Sequence, residues 1–175
     1  FDIVFGELGG QASTALGKIG EETGIATGRL KGTFTQIAAF AKTTGADTAT
    51  ALDISTRATL AAADGAAFYD KSIEDVAESL QSFLKGNFAN DAALGISATE
   101  FTRNSAAIEL FGDKYKDLEE LQKQQVLLKL VEDGNALGGA LGQASRETDG
   151  LENVLGNLDQ AFLELKQAAG GLIFD

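Results

Sequence analysis

Apolar residues recur along this chain at spacings of three and four, the period of a helix with one buried face. Leu30, Phe34, Ile37 and Ala41 form such a stripe and predict a helix over residues 21–42, with Gly45 as its stop and Asp47 or Thr48 as the cap of the next element. Residues 48–69 are rich in Ala and Thr, with Leu52, Leu60 and Phe68 as the larger apolar members, so this helix can approach its neighbours closely. Ser72 opens SIED, a capping-box pattern with Asp in place of Glu. Ile73, Val76, Ala77, Leu80, Phe83 and Leu84 then share one face up to Gly86. Residues 87–96 read as a short turn or helix around Phe88 and Leu94. Ser97 and Glu100 repeat the capping pattern before Phe101, Ile108 and Phe111, and Gly112 closes that helix.

Residues 114–133 carry many charges and Gln around Leu118, Leu121, Leu128 and Val131, which predicts a solvated helix with one buried stripe. Residues 134–145 read as a Gly/Ala hinge. Thr148 or Asp149 would cap the clearest helix in the chain, in which Leu151, Val154, Leu155, Leu158, Phe162, Leu165 and Ala169 keep one face before Gly170 and Gly171. The expected partner of Leu151, Leu155, Leu158 and Phe162 is the stripe of Ile73, Val76, Leu80 and Phe83, or the same face of another copy, with the hinge allowing the intramolecular fold-back. Residues 1–20 form a Gly-rich leading segment whose FDIVF start could be a frayed tail, a strand or a cut edge, residues 21–171 a helical domain, and residues 172–175 a tail. The fold class expected is all-α: several short to medium helices folded back into a bundle with Gly-rich hinges.

Composition sharpens this picture. None of the 175 residues is Pro, which helix interiors tolerate badly. The absence of Cys and His removes disulfides, thiolate nucleophiles, imidazole-based catalytic triads and thiolate or imidazole zinc sites. A formal net charge of −12 and the lack of a Lys/Arg cluster argue against direct nucleic-acid binding. With no Met anywhere, the expectation is a piece of a longer chain. The charge-free stretch between Asp133 and Arg146 is too short to span a bilayer. ALG-like triplets recur without a common period, so no solenoid is expected.

Two glycine series stand out at every fourth position: Gly20, Gly24, Gly28 and Gly32, then Gly134, Gly138 and Gly142. On a helix such rows let another backbone come close, in soluble packing or in a membrane-related assembly, but as loops they would simply be hinges. Glu21, Glu22, Arg29 and Lys31 interrupt the first row, so it is no ordinary membrane span. The acids Glu74, Asp75 and Glu78, and Asp117, Glu119 and Glu120, read as solvated faces and helix starts rather than a paired-carboxylate site. RETD, at Arg146 to Asp149, reads as a salt bridge or cap, and the many Phe as core. No catalytic residue, cofactor or metal site is expected.

The run STRATLAAADGAAFYDKSIEDVAESLQSFLKG, Ser55 to Gly86, resembles tape-measure proteins of long-tailed bacteriophages. The resemblance continues through ALGISATEF, KYKDLEELQKQQVLLKLVED and GALGQASRETDGLENVLGNLDQAF, and spans roughly residues 25–170. The order of these blocks carries it more than any single one. Asn153 and Asn157 keep the family's asparagines, while Arg146 and Glu147 depart from its Thr or Ser nearby. The resemblance implies a structural virion protein in the lumen of the tail, made in the host cytoplasm, that sets tail length during assembly and assists DNA ejection. It implies tail-tube and tail-tip proteins, tail assembly chaperones and further copies of itself as partners, and contact with the host membrane at ejection. The alternatives are a peptidoglycan-degrading glycosidase working on Glu alone, or a membrane-active helical interaction module.

Overall fold

Local chemistry sets the helix boundaries of the computed structural model, which describes residues 1–147 and 151–171, the side chains of 151–153, 165–166 and 169–171 excepted. The helices are α1 (Asp2–Phe5), α2 (Gly9–Thr23), α3 (Thr27–Thr43), α4 (Thr48–Phe68), α5 (Ile73–Leu84), α6 (Glu100–Phe111), α7 (Glu120–Gly138), α8 (Gln143–Arg146) and α9 (Leu151–Gly171). Single 3-10 turns at Gly6–Leu8, Phe88–Asn90, Ala92–Leu94 and Tyr115–Asp117 join them, and no strand occurs among the described residues. The fold is an all-α bundle, as the hydrophobic pattern predicts.

Side-chain caps mark four of the starts. The Asp47 carboxylate accepts from the Thr50 amide at 2.7 Å and the Ser72 hydroxyl from the Asp75 amide at 3.1 Å, both as expected. For α6 the cap is Thr99, not Ser97; it accepts from the Thr102 amide at 3.2 Å. Ser97 instead lends its carbonyl to the Thr102 hydroxyl. At α7, Glu119 and Gln122 form a reciprocal box. The start of α9 at Thr148 and Asp149 lies outside the described residues, as does the tail at 172–175.

Three expectations need correction. The single helix over 21–42 is two helices, because Gly24 takes a left-handed φ of 68° that ends α2. The hinge expected over 134–145 begins later: α7 runs through Gly134 and Gly138, and the bend lies at residues 139–142. The leading segment is not set apart, and its start is neither a frayed tail nor a strand. It is helical, and Phe5, Ala12, Leu16 and Ile19 are buried with the rest of the core.

Helix α4 is the axis of the bundle. Ala51, Ile54, Ala58, Ala61, Ala62, Ala63, Gly65 and Ala66 are buried, and from residue 61 to 66 burial runs right round the helix, so α1, α2, α3, α5, α7 and α8 all pack against it. Alanine is what permits this: a helix that carries little more than methyl groups can be surrounded at close range without voids. The bulk comes from the surrounding helices, with Phe34 and Ile37 on α3, Leu80 and Phe83 on α5, and Leu127 and Leu128 on α7 fully buried. Phe5 sits 4.7 Å from the ring of Phe1 and 5.4 Å from that of Phe34. A smaller cluster of Ala106, Ala107, Leu118 and Val126 joins α6 to α7. In α7 burial is wider than one stripe, since Gln124, Val126 and Leu127 are covered too. In α6 it is narrower: Phe101 and Ile108 lie 78% and 53% exposed, so these two are not core.

One face of α4 is polar and ties the later helices down. Arg57 holds Glu132 of α7 through two hydrogen bonds, of 2.9 and 2.6 Å, and Asp53 at 3.2 Å. Its partner carboxylates push its already high pKa further up. One helical turn on, the Asn135 amide donates to the Ala61 carbonyl at 3.0 Å. One turn further, the buried Asp64 carboxylate accepts from the Gly142 amide at 2.8 Å and the Ala144 amide at 3.1 Å, so that α4 caps α8 from outside the chain segment. Removing that carboxylate strands two backbone donors. Asp64→Ala is expected to cost about 2–4 kcal/mol in urea unfolding, and a loss below about 0.5 kcal/mol would contradict the capping role. The buried hydroxyl of Thr59 has no hydrogen-bond partner. Thr59→Val is therefore expected to raise stability by about 1 kcal/mol in the same measurement; a loss would show that the hydroxyl is solvated or bonded.

Candidate functional site at the docked last helix

Helix α9 joins the body in an unusual way. Its dock is the break between α2 and α3, where residues 24–26 leave backbone groups without intrahelical partners. The Asn157 side chain satisfies two of them, donating to the Gly24 carbonyl at 2.7 Å and accepting from the Ala26 amide at 2.8 Å. Beside it Arg29, its side chain only 5% exposed, makes a two-pronged ion pair with Glu74 of α5, both bonds at 2.8 Å, and reaches Asn157 Oδ1 at 3.5 Å. A side chain at Gly156 would collide with that guanidinium, and one at Gly28 would meet the Gln160 amide nitrogen at 2.6 Å and the Glu164 carboxylate at 2.8 Å. Two glycines, one on each helix, thus let α9 come down on α3.

The docked face is Gly156, Asn157, Gln160 and Glu164. The opposite face is apolar and turned outward: Val154, Leu155, Leu158 and Phe162 are 44%, 51%, 63% and 61% exposed. This overturns the expected packing of the Leu151, Leu155, Leu158 and Phe162 row on Ile73, Val76, Leu80 and Phe83. The α5 stripe is buried already, largely under α3 and α4, and has no surface left to offer. Leu151 itself has its side chain outside the described residues.

The glycine rows do not form continuous stripes. Gly20 lies under Thr27, whose methyl would be 2.9 Å from an added Cβ, and Gly134 lies under Ile96. Gly28 lies under α9, while Gly24 and Gly142 supply left-handed turns. Gly32 and Gly138 face open space. The rows are therefore a mixture of close approaches, turns and unfilled positions. No helix among the described residues is long and apolar enough to cross a membrane. Of the acids singled out, Glu74 is the one built into the dock; no group of three potential metal ligands occurs among the described residues. Arg146 of the RETD motif bonds Gln143 and the carbonyls of Gly139 and Leu141, closing the bend after α7.

In the sequence, Arg29 interrupts a glycine row and Asn157 is one of two asparagines in the block that carries the resemblance. The available signal was their placement: Gly156, Asn157 and Gln160 share the helix face opposite the apolar row. Compared with known proteins, the chain matches no protein-family model, no curated protein and no solved structure.

The ion pair gives the dock a pH dependence. Arg29, above all by hydrogen bonding, holds the Glu74 carboxyl below its usual value of 4.5. A lowered folded pKa means that the pair's contribution is complete above the ordinary carboxylate range and is lost as pH falls through the folded value. Glu74→Gln should therefore be less stable than the parent at neutral pH, with the difference closing in acid. A difference that stays constant from neutral to strongly acid pH would show that the ion pair does not contribute.

Proposed function

We propose that this chain is a non-catalytic segment of a tail tape-measure protein, a structural component of a long-tailed phage that helps to set tail length and assists DNA ejection. In this role its partners are the tail-tube and tail-tip proteins and the tail assembly chaperones, and its place is the tail lumen after assembly in the host cytoplasm. The resemblance of the ordered blocks from Ser55 to Phe162 motivates the reading. The observation that carries it is the orientation of α9, whose apolar row faces away from the body. Such a row supports an assembly role, because a protein that works by contact needs apolar surface in reserve for partners.

The bundle also suits a chain that changes shape. The α9 dock is made of hydrogen bonds, an ion pair and glycine contacts, which water can replace at modest cost. Fully extended as one helix, the segment would reach about 260 Å at 1.5 Å per residue. In-frame deletion of residues 25–170 from the phage gene that encodes the segment should shorten the tail by up to about 220 Å at that rise, measured on negatively stained virions. Tails of unchanged length would contradict the length-setting role.

A further inference from the structure

The chain is tied firmly to its body as far as residue 144. Ala144 is fully buried, α8 packs on α2 and α4, and the Asp64 carboxylate accepts from the Gly142 and Ala144 amides. Further along, the character of the packing changes. Residues 154–164 make about three turns of α9 in which every side chain is described, and none of these residues is buried. Helix α5, of similar length, buries Ile73, Val76, Ala77, Leu80, Phe83 and Leu84. Burial of an apolar face is what chiefly ties a helix to a core, and these turns of α9 contribute none.

What they bring to the dock is polar or small. Asn157 donates to the Gly24 carbonyl and accepts from the Ala26 amide, and Gly156 leaves room for the Arg29 guanidinium. The receiving surface needs nothing from α9 to take shape. Arg29 and Glu74 belong to α3 and α5, and their paired bonds at 2.8 Å hold the guanidinium in position. When Asn157 leaves, water can take over both of its bonds, so separation costs little. We propose that α9 is a strap that leaves and rejoins the body as a unit, while α1 to α8 stay folded up to the Asp64 clamp. Asn157 is its latch, and undocking uncovers Arg29 and the break between α2 and α3. This device goes beyond the tail reading and does not depend on it.

The test is amide hydrogen exchange, read by NMR on the full 175-residue chain. The Ala26 amide donates to Asn157, so its protection reports the dock, while the Ala58 and Ala62 amides inside α4 report the whole fold. Ala26 should be protected, yet exchange at least about 100-fold faster than the α4 amides, because a local opening costs less than global unfolding. The deciding variant is Gly156→Ala, which keeps the Asn157 latch. Alanine is the better helix former, but its Cβ would collide with the Arg29 guanidinium. It should speed Ala26 exchange about tenfold, the equivalent of the two latch bonds, and leave the α4 rates unchanged. Asn157→Ala should have the same effect on the α9 amides from Ala161 to Glu164, since a helix of this length is marginal by itself in water. Leu158→Ala, on the outward side, should leave Ala26 as in the parent. The proposal is overturned by an Ala26 amide that is unprotected, or as protected as those of α4. It is equally overturned if Gly156→Ala leaves Ala26 unchanged, if Asn157→Ala leaves the α9 amides unchanged, or if either variant speeds α4 exchange as much.

Discussion

The structure depends on surrounding a helix whose buried positions are mostly small. Helix α4 can touch six other helices because its buried positions are mostly Ala, and most of the bulk that fills the bundle is supplied from outside it. That arrangement has a weakness. Methyl groups specify little about where a neighbouring helix should stop along the axis, since many registers bury similar area. The polar face made by Arg57, the Ala61 carbonyl and Asp64 removes the ambiguity. Each successive turn of α4 fixes a later point of the chain, at Glu132, Asn135 and residues 142–144. The Asp64 carboxylate is the most demanding of these, because a buried charge is stable only where donors are aimed at it.

The same logic governs α9, with the roles of polar and apolar residues exchanged. In the body, apolar faces supply the attraction and polar groups set the register. At α9, Asn157 and the Arg29–Glu74 pair do the holding, and Val154, Leu155 and Leu158 face outward. The break at residues 24–26 makes this possible. An uninterrupted helix there would have satisfied its own backbone, leaving Asn157 nothing to bond.

How much could be read in the sequence follows from how local each cause is. The caps at Asp47 and Ser72 and the stops at Gly86 and Gly112 depend on neighbours within a few residues, and they are legible. The apolar stripes of α3 and α5 are legible for the same reason. The break at Gly24 was hidden because apolar spacing runs on past it, and a glycine in a row of glycines gives no sign of which one turns left-handed. The choice of Thr99 over Ser97 turns on two equally good hydroxyls. The packing of α9 is not legible, because amphipathic periodicity says which face is apolar, not which face touches the body. Its true anchor is a pair of backbone groups more than a hundred residues away, and backbone groups leave no trace in composition. Asp64 was visible as an acid in an Ala-rich run, yet its purpose appears only once residues 142–144 fold back onto it.

The reach of the Asn157 contact has a consequence in time. Its two hydrogen bonds close loops of 131 and 133 residues, which places them among the longest-range contacts of the chain. Contacts of such separation form late, after local helices and their nearest packing have already assembled. During synthesis the body from α1 to α8 can gather around α4 before residue 157 has left the ribosome. Helix α9 then arrives at a finished surface, and its orientation is chosen by a notch already cut. Leu155 and Leu158 thus take their outward orientation only when the scaffold that aims them is complete.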